Sequence, residues 1–283
     1  MTVEALYRSA VADLENNSVP DAAFDCACLV EAVFGLGRAE RFRYGERQAA
    51  PQEVAYFQTL IARRIAGEPL QYLLGVWDFY DMTFFVGEGV LIPRPETEKL
   101  VEIGLSYLAA HPNAVVYDLC AGSGCIGLTL AKHFPDSRVY LLEYSQKALV
   151  YTRKNREKYA LDNAVILEYD IACGFPALCA SAPDLLLSNP PYIAAGELPT
   201  LQREVRREPS MALNGGEDGL DFYRVIAEKW LPFLQTGSLA AVETGEGQPP
   251  LVAKLFSHAL TQLQILPDCY GTDRFVCGQK GVN

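Results

Sequence analysis

Apolar residues recur at intervals of three or four in three stretches near the start of the chain, which is the spacing of one helix face. The first stretch lies between residues 3 and 14, and the second runs from about residue 24 to Phe34, just before Gly35. The third covers about residues 51–66 and ends at Gly67, a residue type that often follows the last helical turn. The pattern predicts three amphipathic helices that pack into a small helical domain.

The periodicity then changes to two short apolar runs around a polar turn, at residues 76–79 and 83–86, which predicts a β-hairpin. Pro93-Arg94-Pro95 follows, and we expect it to be extended because each proline also restricts the residue before it. These changes predict three regions. They are a helical domain over 1–74, a hairpin linker over 75–92 and a larger domain over 93–283.

Helix-like and strand-like patterns alternate in the larger domain. Strands are predicted at 114–119, 138–143, 164–168, 184–188 and 238–242, and two closing apolar runs at 262–266 and 274–277 resemble a hairpin. Helices are predicted at 96–108, 125–134, 145–159, 218–230 and about 250–260. This alternation indicates an α/β fold with a Rossmann-like, mostly parallel sheet that ends in a β-hairpin.

Composition narrows the function classes. The 283-residue chain carries a formal net charge of −11, which disfavours nonspecific binding to nucleic acid. Its eight cysteines form no Cys-x-x-Cys pair and have no partners at zinc spacing, so we expect free thiols in a reducing compartment and no metal site. Without a signal sequence, or an apolar run near the roughly 20 residues that cross a bilayer, we expect a cytoplasmic protein with no membrane partner.

One apolar run stops abruptly at Asn189-Pro190-Pro191-Tyr192. Residues 184–188 are typical of a buried parallel strand, so Asn189 is expected at the sheet's carboxyl edge, where open α/β sheets bind ligands. Prolines carry no backbone N–H, so this corner is rich in acceptors. The Asn189 side-chain oxygen and the Pro190 carbonyl could accept both hydrogens of a planar NH2 group, with Tyr192 covering its face. The simpler alternative is that Asn-Pro-Pro is only a turn that ends the strand.

A run of small residues lies between the first strand of this domain and the next helix: Cys120, Ala121, Gly122, Ser123 and Gly124. Small residues let the backbone approach a ligand closely, and the N-terminus of the helix offers free N–H donors. This segment is therefore a candidate cofactor loop, although a packing turn could have the same composition.

Carboxylates end the next two predicted strands. Glu143 is placed to accept both hydroxyls of a ribose, and Asp170 to accept from an adenine amine. A dinucleotide-binding Rossmann domain is the main rival, because Gly127 supplies the third glycine of its fingerprint and the spacing does not exclude NAD. The neighbouring Asn-Pro-Pro-Tyr favours methyl transfer to a planar nitrogen, since hydride transfer does not require it.

With these residues the chain resembles the class I S-adenosylmethionine-dependent methyltransferases, and closely the PrmC or HemK family of release-factor glutamine methyltransferases. Asn-Pro-Pro-Tyr also occurs in DNA adenine-N6 methyltransferases and some RNA guanine methyltransferases, so the resemblance depends on further stretches and on the helical N-terminal domain. The further stretches are Gly67-Glu68-Pro69-Leu70-Gln71-Tyr72, residues 91–98 around Pro93-Arg94-Pro95-Glu96-Thr97, Glu208-Pro209, Ala212-Leu213, residues 215–220 and residues 273–278.

The resemblance implies a reaction that converts the glutamine of the Gly-Gly-Gln motif in peptide chain release factors to N5-methylglutamine and leaves S-adenosylhomocysteine. It implies that residues 120–124 contact the methionine part of the cofactor, that Glu143 holds the ribose and that Asp170 with Ile171 borders the adenine. It also implies that Asn189, Pro190, Pro191 and Tyr192 together receive the glutamine side chain, and that Asn189 lies next to the cofactor as well. The helical domain would recognise the substrate protein. Three residues depart from the family's usual pattern, since Cys120 replaces a glycine, Glu143 a commoner aspartate and Ile171 a frequent aromatic residue.

For the chemistry, we expect Asn189 Oδ1 and the Pro190 carbonyl to accept the two hydrogens of the substrate amide, with no metal and no covalent intermediate. Three alternatives stay open. One is a glutamine methyltransferase that acts on a ribosomal protein, which shares the motif. Another is a nucleic-acid base N-methyltransferase, which the acidic chain disfavours. The third is a partner subunit that keeps fold and cofactor without turnover, which the intact Asn-Pro-Pro-Tyr disfavours.

Overall fold

The three amphipathic stretches at the start of the chain form helices in the computed structural model, which describes residues 1–176 and 181–281. They belong to a unit that comprises Met1–Val76 and Gln202–Arg207, and a second unit comprises Trp77–Leu201 and Glu208–Asn283. The chain therefore leaves the second unit after Leu201 and returns to it at Glu208. The division into residues 1–74, 75–92 and 93–283 stays a prediction.

The first unit contains two short helices besides the three that the periodicity predicts. Its helices are α1 (Val3–Asn16), α2 (Ala22–Phe34), α3 (Arg38–Tyr44), α4 (Pro51–Ile65) and α5 (Leu70–Leu74). Helices α3 and α5 have seven and five residues, which is too short for a helical period to show in the sequence. Leu6, Leu29 and Leu60, from α1, α2 and α4, are almost completely buried and form part of the core of this unit.

A buried ion pair lies within this unit. Arg64 Nε lies 2.6 Å from Asp25 Oδ2, and its Nη1 lies 2.9 Å from Glu204 Oε1. Asp25 and Arg64 are each only 5% exposed. Because Glu204 comes from the 202–207 segment, Arg64 joins that segment to helices α2 and α4.

The second unit begins with a hairpin and continues with a seven-stranded sheet. The strands are β1 (Val76–Phe79), β2 (Met82–Phe85), β3 (Val115–Leu119), β4 (Arg138–Glu143), β5 (Ala164–Glu168), β6 (Leu185–Ser188), β7 (Leu239–Glu243), β8 (Thr261–Pro267) and β9 (Asp273–Gln279). The helices are α6 (Glu98–Ala110), α7 (Cys125–His133), α8 (Gln146–Lys158), α9 (Asp221–Lys229) and α10 (Pro249–Phe256). The order in the large sheet is β5-β4-β3-β6-β7-β9-β8.

Strands β3 to β7 run parallel, and β8 and β9 form the closing antiparallel hairpin, so the predicted fold class is confirmed. Alternate residues of the strands face two different cores. Val116 packs in a cluster with α6 and α7, whereas its neighbour Tyr117 packs in a second cluster with α9 and α10. Helices therefore cover both faces of the sheet, which explains why its strands are apolar at consecutive positions.

Two helices begin two or three residues later than the sequence pattern predicts. A short 3-10 turn at Pro95–Thr97 precedes α6, so this helix starts at Glu98. Gly219 has a φ of +77°, which an α-helix cannot include, and α9 accordingly starts at Asp221. Both differences arise from backbone geometry at proline or glycine.

The parallel strands bring the candidate residues to one edge. Leu119, at the end of β3, pairs with Leu142 of β4 on one side and with Ser188 of β6 on the other. The strand order reverses between β3 and β6, and ligands of open α/β sheets bind at such a switch point. No helix in the described ranges is long and apolar enough to span a membrane.

Candidate active site

A cavity of about 510 Å3 opens at this switch point, entirely within the second unit. Most of the predicted site residues line it: Cys120, Ala121, Gly122, Ser123, Glu143, Asp170, Ile171, Asn189 and Pro191. Gly124, Pro190 and Tyr192 lie beside it in sequence but outside its lining. The volume is typical of pockets that enclose a cofactor-sized molecule.

The loop after β3 has an unusual backbone. Cys120, Gly122 and Gly124 have φ angles of +58°, +57° and +82°, all in the left-handed region. Glycine adopts this region without penalty, whereas a residue with a Cβ loses about 1–2 kcal/mol there. The geometry explains why a glycine would suit position 120 and shows that cysteine is accommodated with the same backbone.

Asp118 and Gly127 fix the start of α7. The Gly127 N–H donates to Asp118 Oδ2 at 2.9 Å. A Cβ at position 127 would lie 2.9 Å from that oxygen and 3.0 Å from Leu141 Cγ, so only glycine fits this close contact between helix and strands. The third glycine of the apparent dinucleotide fingerprint is thus explained by packing. Burial raises the pKa of Asp118 to about 7.

Glu143 holds the loop from the end of β4. Its Oε2 accepts from the Gly122 N–H and its Oε1 from the Ser145 N–H, both at 2.7 Å. Burial raises the pKa of Glu143, although these N–H groups oppose the effect. Each carboxylate oxygen keeps a second lone pair that can accept from a ligand hydroxyl.

Asp170 and Ile171 lie at the end of β5. Asp170 Oδ1 accepts from the Ala172 N–H at 2.8 Å, which begins a 3-10 turn over Ile171–Cys173. Ile171 is 4% exposed, and its carbonyl accepts from the indole N–H of Trp230 at 2.9 Å. The second carboxylate oxygen of Asp170 has no bonded donor among the described residues, so it can accept from a ligand amine.

Asn189 is tied to two residues that the sequence analysis missed. Its Nδ2 donates to Thr97 Oγ1 at 3.1 Å, and the Thr97 hydroxyl donates to Glu243 Oε2 at 2.6 Å. Thr97 is 2% and Glu243 1% exposed. Their only signal in the sequence was the position of Thr97 within the Pro-Arg-Pro-Glu-Thr stretch.

Two acceptors at the end of β6 are free of protein donors. Within the described ranges, no hydrogen bond reaches Asn189 Oδ1 or the Pro190 carbonyl oxygen. The carbonyl of Tyr192, two residues after Pro190, is different, because it accepts from Gln248 Nε2 at 2.9 Å. Burial raises the pKa of the Tyr192 phenol to about 12, so the ring is neutral at physiological pH.

Comparison with known proteins decides the family. Residues 5–75 match the family model described as PrmC N-terminal domain, and residues 98–217 match the methyltransferase small domain. A release factor glutamine methyltransferase from Geobacter sulfurreducens is 38% identical over 95% of this chain and 93% of that protein. A protein of the same name from Koribacter versatilis is 34% identical over 99% of both chains.

The chain belongs to the release factor glutamine methyltransferase family. This membership confirms the predicted methyltransferase activity and the predicted cofactor, S-adenosylmethionine. Among solved structures, the hMettl16 catalytic domain in complex with MAT2A 3′UTR hairpin 6 has a TM-score of 0.56 at 16% identity, over 81% of this chain and 82% of that one. At that identity the likeness shows the methyltransferase fold alone.

The lack of a side chain at Gly215 allows a close backbone contact next to Asn-Pro-Pro-Tyr in this family member. A Cβ at Gly215 would lie 2.8 Å from the Pro191 carbonyl oxygen, the Tyr192 Cα and the Gly219 carbonyl oxygen, all of which are backbone atoms. The Gly215 N–H also donates to the Ile193 carbonyl at 2.8 Å. The loop after the motif can therefore pack directly against the motif's backbone.

The thiols near the site are not activated. Burial raises the pKa of Cys120 well above its ordinary value and that of Cys125 to about 12, so both stay protonated and weakly nucleophilic at neutral pH. All seven cysteines in the described ranges are free, and Cys179 lies outside the described residues. The described residues contain no cluster of side chains suited to a metal ion.

Proposed function

We propose that this chain transfers the methyl group of S-adenosylmethionine to the side-chain amide nitrogen of the glutamine in the Gly-Gly-Gln motif of peptide chain release factors. The products are N5-methylglutamine, S-adenosylhomocysteine and one proton, which the amide nitrogen loses as its bond to the methyl group forms and the methyl–sulfur bond breaks. The observation that carries the proposal is the pair of free acceptors, Asn189 Oδ1 and the Pro190 carbonyl, at the end of β6 beside the cavity. The names of the relatives support the choice of release factors.

The cavity suits the cofactor in size and in chemistry. S-adenosylmethionine presents hydroxyl and amine donors together with a cationic sulfonium, and the cavity offers the carboxylates of Glu143 and Asp170 at separate strand ends. We assign the ribose to Glu143, the adenine to Asp170 and Ile171, and the methionine part to residues 120–124. When bound, the cofactor supplies an electrophilic methyl group.

The two free acceptors would orient the amide group of the substrate. An amide nitrogen is a poor nucleophile because its lone pair is delocalised into the carbonyl group. Asn189 Oδ1 and the Pro190 carbonyl take one hydrogen each, which holds the nitrogen in place and stabilises the positive charge that develops on it. Pro190 and Pro191 contribute no N–H that could compete, and the neutral Tyr192 ring covers the amide plane.

We also propose a class of binding partner, a cellular location and a role for the helical domain. The net charge of −11 supports a protein rather than a nucleic-acid or membrane partner. The seven free thiols support a cytoplasmic location. We also assign recognition of the substrate protein to the helical domain, whose residues 5–75 match the PrmC N-terminal domain.

The test is transfer of labelled methyl from S-adenosylmethionine to a purified release factor, beside a release factor in which the Gly-Gly-Gln glutamine is replaced by alanine. We expect label only on the unreplaced protein. Equal labelling of both proteins would place the modified atom elsewhere. Labelling of a ribosomal protein or of RNA, with none on either release factor, would overturn the proposed substrate.

A further inference from the structure

Three residues from distant parts of the chain meet behind the acceptor corner. Thr97 ends the 3-10 turn before α6, Asn189 follows β6, and Glu243 ends β7. Since Ser188 of β6 pairs with Val242 of β7, the next residue on each strand brings Asn189 alongside Glu243. Both Thr97 and Glu243 are out of reach of solvent.

The order of the hydrogen bonds is dictated by which groups can donate. An ionised carboxylate only accepts, so the single hydrogen of the Thr97 hydroxyl is given to Glu243 Oε2 at 2.6 Å. Thr97 Oγ1 can then only accept from Asn189. The amide must therefore turn its nitrogen towards Thr97, which leaves Oδ1 on the opposite side, free of protein donors.

The charged groups around Glu243 act in opposite directions on its ionisation. Arg274 and Arg94 favour the carboxylate, as does the Thr97 hydroxyl, whereas burial and Glu96 oppose it. Burial dominates and raises the pKa of Glu243 to about 7, while the phenol of Tyr192 stays neutral nearby. Above that pH the ionised carboxylate accepts from Thr97, which in turn accepts from Asn189.

We propose that Thr97 and Glu243 are positioning residues that lock the Asn189 amide with its oxygen facing the substrate. This inference rests on the proposed function, in which that oxygen accepts a hydrogen of the substrate amide. In the reversed orientation Asn189 would present an NH2 group to the substrate NH2 group, and two donors would face each other. The negative charge of Glu243 also polarises the chain and strengthens Asn189 Oδ1 as an acceptor.

The test compares Thr97→Val with Thr97→Ser. Valine keeps the shape of threonine but removes the hydroxyl, so we expect kcat to fall roughly 10- to 100-fold, as is common for groups that orient a catalytic side chain. The affinity for S-adenosylmethionine and the midpoint of thermal unfolding should stay close to wild type. Serine keeps the hydroxyl and should retain most of kcat.

Glu243→Gln provides an independent variant. Its side-chain NH2 can donate to Thr97 Oγ1, which releases the Thr97 hydroxyl hydrogen to bond Asn189 Oδ1 and so favours the reversed amide. We expect a loss of kcat similar to that of Thr97→Val, and no further loss when both changes are combined, because both act through Asn189. The inference would be overturned if the double variant lost kcat by the product of the two single losses, or if Thr97→Val kept the wild-type kcat.

A structural readout separates this inference from the proposed function. Nuclear magnetic resonance of protein labelled at asparagine nitrogen reports the exchange of the Asn189 side-chain NH2 with solvent. It should be slow in wild type and in Thr97→Ser but fast in Thr97→Val, whatever the substrate is. Fast exchange in wild type would contradict the lock, whereas absence of methyl transfer from wild type to release factors would contradict only the proposed function.

Discussion

At the scale of single residues, the site places carboxylates where burial disfavours their charge. Glu143 has two backbone N–H donors, and Asp118 has one. Among the described residues, the Thr97 hydroxyl is the only donor to the Glu243 carboxylate, and burial raises the pKa of Glu243 from an ordinary value of 4.5 to about 7. A buried carboxylate of this kind lowers stability, and a site keeps it where its charge serves the function.

Glu243→Gln should stabilise the larger unit in a pH-dependent way. Between about pH 4.5 and 7 the unfolded chain loses the Glu243 proton before the folded chain does, so wild-type stability falls as pH rises through this window. Glutamine has no proton to lose, so we expect the variant to be more stable than wild type by roughly 1–3 kcal/mol at pH 8, with little difference near pH 4.5.

Urea unfolding followed by tryptophan fluorescence measures this, because both tryptophans, Trp77 and Trp230, belong to the larger unit. Asp118 titrates in the same range in both proteins and cancels in the difference. An equal difference in stability at the two pH values would show that the charge of Glu243 does not oppose folding.

At the scale of elements, the sequence predicted those strands and loops whose structure depends on a few consecutive residues. The strands that end at Glu143 and Ser188 were predicted within a residue at each end, because each is a short apolar run bounded by polar or turn residues. The loop at 120–124 was predicted from its small residues. Its roles in binding stay predictions, as do those of Asn189 and its neighbours.

What the sequence could not predict depends on distant contacts. Thr97 and Glu243 are 146 positions apart and are common residue types, so nothing in the pattern connects them. Arg64 and Glu204 are 140 positions apart, and the segment around Glu204 has no helical or strand period that would assign it to the helical unit. Such pairs become visible only when the fold brings them together.

Arg64→Met should destabilise the helical unit and release the 202–207 segment. The change leaves Asp25 buried without a partner, which typically costs about 3–5 kcal/mol. Because the segment contains Arg203, Arg206 and Arg207, limited trypsin digestion should cut it faster in the variant than in wild type.

Arg63→Met is the matched control. Arg63 pairs with Glu68, and both side chains are substantially exposed, so its loss should change stability little. Equal rates of trypsin cleavage at residues 203–207 in Arg64→Met and Arg63→Met would contradict a structural role for the buried pair.

At the scale of the whole molecule, the proposed function assigns cofactor and substrate to the ends of neighbouring strands. Strands β3, β4 and β5 end in the residues assigned to the cofactor, and β6 ends in the residues assigned to the glutamine. The loop that follows β6 sends residues 202–207 into the helical unit before it returns to the second unit at Glu208. One continuous stretch thus carries the acceptor corner and a segment of the unit proposed to recognise the substrate protein.

The most direct test of this division is Asn189→Ala, measured for methyl transfer and for cofactor binding in the same preparation. Removal of Oδ1 takes away one of two acceptors that hold the amide nitrogen, so we expect kcat to fall by at least about 100-fold. Calorimetry should show affinity for S-adenosylmethionine close to wild type, because residues 120–124, Glu143 and Asp170 are unchanged. Comparable losses of turnover and of cofactor affinity would contradict the assignment of Asn189 to the substrate amide.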